Sequence, residues 1–214
     1  MSAAALDVRT FTVGPFAENT YVVREQGSQR ALLVDPGAEA ERLIEAIDAL
    51  GVSIEAILVT HTHIDHIGAV AALARATGAP VYAPALEREV LATGDTGLGG
   101  VEPHEPEVTL SGGEQLELAG LDLGVLFTPG HSAGHLTYAL PGALFSGDVL
   151  FAGSVGRTDL PGGDFATLLG SIAQLLDGFP PQTRVHPGHM GATTLERERD
   201  TNPFLAELRA PAGT

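Results

Sequence analysis

Hydrophobic and polar positions change period several times along the chain, and the changes mark out its elements. Residues 7–13, 19–24 and 31–34 read as strands, with Gly14-Pro15 and residues 26–29 as breaks and Asp35-Pro36-Gly37 as a stop. Residues 39–50 switch to helical spacing: Leu43, Ile44, Ile47 and Leu50 form one stripe, and Gly51 ends it. The apolar run 54–60 predicts a buried strand, 67–77 a second helix closed by Gly78, and 81–83 a short strand. The opening part therefore reads β-β-β-α-β-α-β. Residues 84–113 are rich in Gly, Pro and Glu and predict loop with little structure of its own. Strands are predicted over 114–128, 136–140 and 143–147. A helix follows over 165–177, with Asp164 as its cap and Leu168, Leu169, Ile172, Leu175 and Leu176 as its apolar positions. Residues 184–185 read as a strand and 195–199 as a short charged helix. No fixed-period repeat and no linker interrupts this order. The pattern predicts an α/β (α+β) chain, a single domain over residues 1–214, with two sheets and helices outside.

Composition narrows the chemistry. Of 214 residues, 44% are hydrophobic, enough for one sizeable core. There are 27 acidic side chains against 11 basic ones, all arginine, for a net charge of -16. Such a balance argues against nucleic-acid binding, which depends on neutralising phosphates. The absence of cysteine excludes disulfides, thiolate metal sites and a cysteine nucleophile. The absence of lysine excludes a Schiff base and a phosphate-loop lysine. The opening MSAAALDVRT has no basic n-region or apolar run of the signal-peptide kind. No window approaches the roughly 20 apolar residues that span a membrane. A cytoplasmic chain without a membrane partner is the expectation.

The histidines fall where the apolar runs end. The first group is Thr60-His61-Thr62-His63-Ile64-Asp65-His66. On an extended segment His61 and His63 point to one side, and the turn into a helix can re-aim Asp65 and His66 at the same point. Neutral imidazole and carboxylate are the usual ligands of zinc, iron and manganese. A lone loop histidine is ordinarily structural, but four metal-type ligands within six residues predict a metal site. Three more loops add candidates: Pro129-Gly130-His131-Ser132-Ala133-Gly134-His135, Ser146-Gly147-Asp148 and His186-Pro187-Gly188-His189. Small residues flank the candidate ligand in each, so the backbone can approach an ion.

This set of residues resembles the metallo-β-lactamase superfamily, and the likeness runs along essentially the whole chain. Gly14-Pro15-Phe16-Ala17-Glu18-Asn19-Thr20-Tyr21, Val34-Asp35-Pro36-Gly37, Pro187-Gly188-His189 with Thr193-Thr194, and Gly153-Ser154-Val155-Gly156-Arg157-Thr158-Asp159 are similar to the short, glyoxalase II-like hydrolases. The resemblance implies a four-layer αβ/βα sandwich of two mixed sheets with helices on the outer faces. It implies two divalent metals, zinc foremost, with iron or manganese as alternatives. His61, His63 and His131 would hold one, Asp65, His66 and His189 the other, and Asp148 would bridge them. It further implies hydrolysis of a small-molecule thioester of the S-2-hydroxyacylglutathione type by a metal-bridging hydroxide, with Asp65 as the catalytic residue that orients it. His135 and His186 fall outside the ligand pattern, and His104 reads as solvated. Long-form glyoxalase II also carries a helical carboxy-terminal domain whose lysines, arginine and tyrosines bind glutathione, and the likeness does not extend to that domain. Arg157 is expected to pair with Asp159 or a neighbouring acid, with a substrate carboxylate as its alternative partner. The rival reading is a persulfide dioxygenase, which the resemblance equips with a single iron on His61, His131 and Asp148 to oxidise glutathione persulfide.

Overall fold

A computed structural model describes residues 5–209; residues 1–4, part of the amino-terminal stretch read above, and 210–214 lie outside that range. Strands β1 (Leu6–Val13), β2 (Glu18–Glu25) and β3 (Arg30–Val34) form an antiparallel meander. Helix α1 (Ala40–Leu50) crosses to β4 (Ser53–Leu58), which lies parallel to β3. Two short helices, α2 (Ile64–Ile67) and α3 (Val70–Thr77), lead to β5 (Val81–Pro84). A 3₁₀ turn (Ala85–Glu87) and α4 (Arg88–Thr93) lead on to β6 (Val108–Leu110), and the six strands pair in chain order. The second sheet is built from β7 (Gln115–Leu118), β8 (Leu121–Phe127), β9 (Leu136–Leu140) and β10 (Ala143–Gly147). A small hairpin of β11 (Leu150–Phe151) and β12 (Ser154–Val155) follows, and then α5 (Phe165–Gly178). Strands β13 (Arg184–Pro187) and β14 (Thr193–Thr194) complete that sheet in the order β14-β13-β10-β9-β8-β7. Helix α6 (Leu195–Thr201), a 3₁₀ turn (Pro203–Leu205) and α7 (Ala206–Arg209) close the described chain.

The period of two along the strands makes the layers. In β3, Ala31 and Leu33 face the helices α1 and α3, whereas Leu32 and Val34 face the other sheet. In β4, Ile57 goes out and Ala56 and Leu58 go in. The second sheet mirrors this: Leu144 of β10 packs on α5, and Ala143 and Phe145 turn inward. Three apolar layers thus separate helix, sheet, sheet and helix, the four-layer sandwich that the resemblance implies. Strands buried on both faces read as continuous apolar runs, which is why 31–34 and 56–58 carry no alternation.

The structure differs from the sequence reading in several features, among them β14, the 3₁₀ turn at Pro203–Leu205 and α7, none of which was expected. The 84–113 stretch holds the 3₁₀ turn, α4 and β6; these elements are too short for periodicity to stand out, and α4 buries only Leu91. The predicted strand 114–128 is a hairpin, turned at Ala119 and Gly120, which both take positive φ. The helix expected from residue 67 begins at Ile64 and is interrupted at Gly68-Ala69, where the Ala69 N–H leaves the helical ladder to donate to Pro36 O at 2.9 Å. The β11–β12 hairpin was not expected at all; each arm is two residues long. Asp164 caps α5 as expected, accepting from the Thr167 N–H at 2.7 Å. The tail is pinned by a carboxylate hidden in its charged helix: buried Glu198 accepts from Gly153 N–H, Thr193 Oγ1 and Asn202 Nδ2.

Candidate metal centre

Strands β8 and β10 each run antiparallel to β9, and β13 runs parallel to β10, so the carboxy-terminal ends of all three lie at one edge of their sheet. His131, Asp148 and His189 follow those three ends, and His61 and His63 follow β4 of the facing sheet. Asp65 and His66 lie on α2, one short turn further on.

The ring nitrogens of three histidines converge. His61 Nε2 lies 3.1 Å from His63 Nδ1 and 3.2 Å from His131 Nε2, and His131 Nε2 lies 2.8 Å from His63 Nδ1. Tetrahedral nitrogens around one zinc, each about 2.0–2.1 Å from it, are separated by roughly 3.3 Å. Beside them, His189 Nε2 is 3.3 Å from Asp65 Oδ2, and His66 completes a second group. Asp148 stands between the groups: its Oδ1 is 3.4 Å from His66 Nε2, and its Oδ2 is 3.5 Å from both His131 Nε2 and His189 Nε2. His66 Nε2 and Asp148 Oδ1 are buried without a hydrogen-bond partner. Orphaned lone pairs of this kind are costly unless something occupies the space between them. A divalent cation fits both the donor chemistry and that need.

Further hydrogen bonds fix the direction of each ring. His131 Nδ1–H donates to Arg157 O at 2.8 Å, which leaves Nε2 as the free lone pair. His61 Nδ1 lies 3.0 Å from Thr60 Oγ1. His66 Nδ1 meets Asp35 Oδ2 at 3.0 Å, and the same carboxylate accepts from Thr60 N–H and Thr60 Oγ1, each at 2.7 Å. Asp35 holds a left-handed backbone, φ 46°, a conformation that aspartate tolerates better than most side chains. His135 accepts from the Asp148 N–H through Nε2 at 3.1 Å and stacks on His61, so it holds Asp148 from behind. Glu87 ties two ligand loops together. It accepts from Thr62 N–H and Thr62 Oγ1 on one side, and from Ser132 Oγ and Gly134 N–H on the other.

The loop bearing His189 is fastened by residues of the first hairpin. Asn19 Nδ2 donates to Pro187 O and Met190 O, Tyr21 Oη donates to Pro187 O at 2.6 Å, and the Asn19 N–H donates to Gly188 O. Gly188 has no room for a side chain, because a Cβ there would press on Asp148 Oδ1 and His66 Cε1. Gly188→Ala is therefore expected to weaken divalent-metal binding by ~10–100-fold without loss of secondary structure. Titration of the metal-free protein with zinc, alongside circular dichroism, checks this.

Burial drives His61 and His135 well below the ordinary histidine range, and neighbouring imidazoles add to the effect. Burial also takes His63 down to about 4 and lowers His131. His66 goes the other way: burial opposes its charge, but Asp148 and Asp35 overcome it and hold it well above the usual value. Against the same burial, hydrogen bonds to Asp148 and Asp65 raise His189 to about 10. The first group is thus a set of neutral nitrogens, whereas the second is carboxylate-rich and draws positive charge to itself.

The remaining candidates lie apart. His186 stacks on Phe145 and packs edge-on against Tyr21. His104 is half-buried, 3.4 Å from Glu107, and not simply solvated, because the 84–113 stretch folds over it. Arg157 is exposed and grips Asp159 in a two-pronged pair, both contacts at 2.7 Å. Asp35, Glu87, Asn19 and Tyr21 were given no role from sequence. Glu18-Asn19-Thr20 is polar yet buried at the start of β2, a property visible only once the chain is folded.

An αββα sandwich with loop-borne histidines and aspartates gathered at one sheet edge defines a class of metal-binding proteins. The family model of the metallo-β-lactamase superfamily matches residues 13–189, and the chain belongs to that superfamily. Superfamily members bind divalent metals and act as hydrolases. A probable metallo-hydrolase of Bacillus subtilis, YqgX, is 38% identical over 92% of this chain and 96% of its own length. The hydroxyacylglutathione hydrolase GloC of Haemophilus influenzae is 32% identical over 94% and 98%. Among solved structures, BLEG-1 B3 metallo-β-lactamase superposes with a TM-score of 0.88 at 37% identity, covering 94% of this chain and 100% of its own. TTHA1623 in a di-iron-bound form gives 0.80 at 43%, covering 92% and 100%. ETHE1 from Myxococcus xanthus gives 0.77 at 28%, covering 92% and 83%. Among the described residues, no helix is long and apolar enough to cross a membrane.

Proposed function

We propose that the chain is a cytoplasmic, metal-dependent thioester hydrolase acting on an S-2-hydroxyacylglutathione-type substrate through a binuclear centre. His61, His63 and His131 would hold one cation, Asp65, His66 and His189 the other, and Asp148 lies where it could serve both. Zinc suits these donors first, and iron or manganese can serve them too. When bound, the cations supply a water-derived nucleophile at neutral pH and polarise a carbonyl oxygen. The chain does the rest. Asp65 is only half-buried and directs one oxygen at His189, which leaves its other oxygen to accept a hydrogen bond from the attacking water and aim it. Thr60, Asp35 and Arg157 O keep the rings from turning. A thiol leaving group with a pKa near ~8.5 departs without a general acid, and no acid is required of the chain.

The observation that carries this reading is the convergence of seven donors in two adjoining groups, with two of their buried atoms left unpaired. The likeness to the Haemophilus influenzae hydroxyacylglutathione hydrolase supports the choice of substrate. In the persulfide dioxygenase reading, His61, His131 and Asp148 suffice, and the gathering of Asp65, His66 and His189 would be idle. The test is a paired assay of metal-loaded protein: loss of thioester absorbance with S-D-lactoylglutathione, and oxygen uptake with glutathione persulfide. Hydrolysis without oxygen uptake is expected; oxygen uptake without hydrolysis would sink the proposal. Arg157 already has a carboxylate partner, so Arg157→Ala is expected to change KM by less than about twofold, in line with the small worth of exposed ion pairs. Steady-state kinetics on the same thioester checks it.

A further inference from the structure

Two clefts open beside the centre. The larger, about 490 Å³, lies next to Asp65 and includes Phe16, Ile64 and Gly100. The smaller, about 230 Å³, lies next to His63 and is walled by Val90, Leu98, Ala133, Leu160 and Pro161. The smaller slot has no arginine among its lining residues. Its one carboxylate, Glu87, is already saturated by its four donors. The Thr62, Ser132 and Thr96 hydroxyls that also line it donate to Glu87 and Gly99 O, which leaves the apolar side chains as its main free surface.

The outer wall of the slot is tied in place. Residues 94–101 close on themselves: Val101 N–H donates to Gly94 O, Thr96 Oγ1 to Gly99 O at 2.7 Å, and Gly97 N–H to Asp95 Oδ1. The loop leans so closely on α2 that a Cβ at Gly99 would sit 2.8 Å from Ile64 Cδ1. Leu98 stands at its tip, 59% exposed. A leucine fixed in water at the mouth of a catalytic cleft gains burial only when something apolar enters beside it.

We infer that the slot beside His63 receives the acyl group, and that among 2-hydroxyacyl-type thioesters it favours those whose acyl chain runs on, uncharged and apolar, beyond the third carbon. The inference rests on the thioester-hydrolase reading above. The thiol arm, the bulkier half of such a substrate, takes the larger cleft beside Asp65. Each methylene that leaves water for the slot adds about 0.8 kcal/mol of binding, roughly fourfold.

A chain-length series on one neutral thiol tests this with the metal-loaded full chain. The acetyl, butanoyl and hexanoyl thioesters of N-acetylcysteamine are expected to show kcat/KM rising at least tenfold from acetyl to hexanoyl. Leu98→Asp and Ala133→Phe, the first wetting the slot and the second plugging it, are expected to reduce that ratio below threefold. Binding of the non-hydrolysable ethyl and hexyl thioethers of N-acetylcysteamine, followed by calorimetry, should show the same preference in the wild type and its loss in Leu98→Asp. Hydrolysis with a flat chain-length profile, or thioether binding indifferent to Leu98→Asp, overturns the acyl slot and leaves the hydrolase reading standing. Failure to hydrolyse any of these thioesters or S-D-lactoylglutathione overturns both.

Discussion

Replacing Asp148 by alanine is expected to lower thioester hydrolysis by at least ~10³-fold, the scale at which a metal centre and its electrostatic stabilisation are lost. Asp148 faces both groups of donors: one oxygen faces His66, and the other faces His131 and His189. Without it the two groups of donors have nothing in common, and the metal content of the purified protein should fall with the activity. The fold should survive. The β10 strand that leads into Asp148 is anchored by Leu144 and Phe145, and the hydrogen bond to His135 comes from the Asp148 backbone, which alanine retains. Turnover, metal analysis and circular dichroism on the same preparation check the three parts. Turnover within tenfold of wild type would show that Asp148 does not join the two halves of the site.

The second large effect lies outside the ligand set. Glu87 is 8% exposed and accepts four hydrogen bonds from the loops that carry His61, His63 and His131. In Glu87→Ala the Thr62 and Gly134 N–H groups lose their acceptor inside the protein, at about 1–3 kcal/mol each. The Thr62 and Ser132 hydroxyls can turn elsewhere and add less. A total near ~4 kcal/mol corresponds to a fall in Tm of about 10 °C for a domain of this size. Turnover should drop by about 10²-fold as well, because the two loops lose the brace that sets His131 against His61 and His63. Glu87→Gln keeps a carbonyl acceptor and should lose roughly half as much stability. Thermal unfolding of the three proteins, metal-loaded throughout, checks the order.

The contrast between these two residues shows what the sequence makes legible. Asp148, like the candidate histidines, follows an apolar run and sits among glycines and serines, so its chemistry stands out against a plain background. Metal donors must also be of few types, which makes their clustering hard to produce by chance. Glu87 has no such background. It is one of several glutamates between Pro84 and Val108, and Glu89, Glu102 and Glu105 are exposed where Glu87 is buried. Residue type and local spacing are the same for a carboxylate in solvent and a carboxylate that receives four donors from loops 25 and 47 positions away. Asp35 is hidden differently: Asp35-Pro36-Gly37 reads as a strand stop, and β3 does end at Val34, but Asp35 also aims its carboxylate at His66. The layers of the sandwich were legible for the opposite reason. Continuous apolar runs at 31–34 and 56–58 need cover on both faces, and a sheet between helices and a second sheet provides it. Elements of two to four residues, such as β6, β11 and β12, bury too little for any pattern to emerge.

The central claim, a binuclear centre on His61, His63, Asp65, His66, His131, Asp148 and His189, is tested most directly by the metal-to-protein ratio of the full chain purified without chelators. The account predicts about two divalent ions per chain, falling to one or none in Asp148→Ala. One iron per chain, unchanged in His63→Ala and accompanied by oxygen uptake on glutathione persulfide, would contradict it.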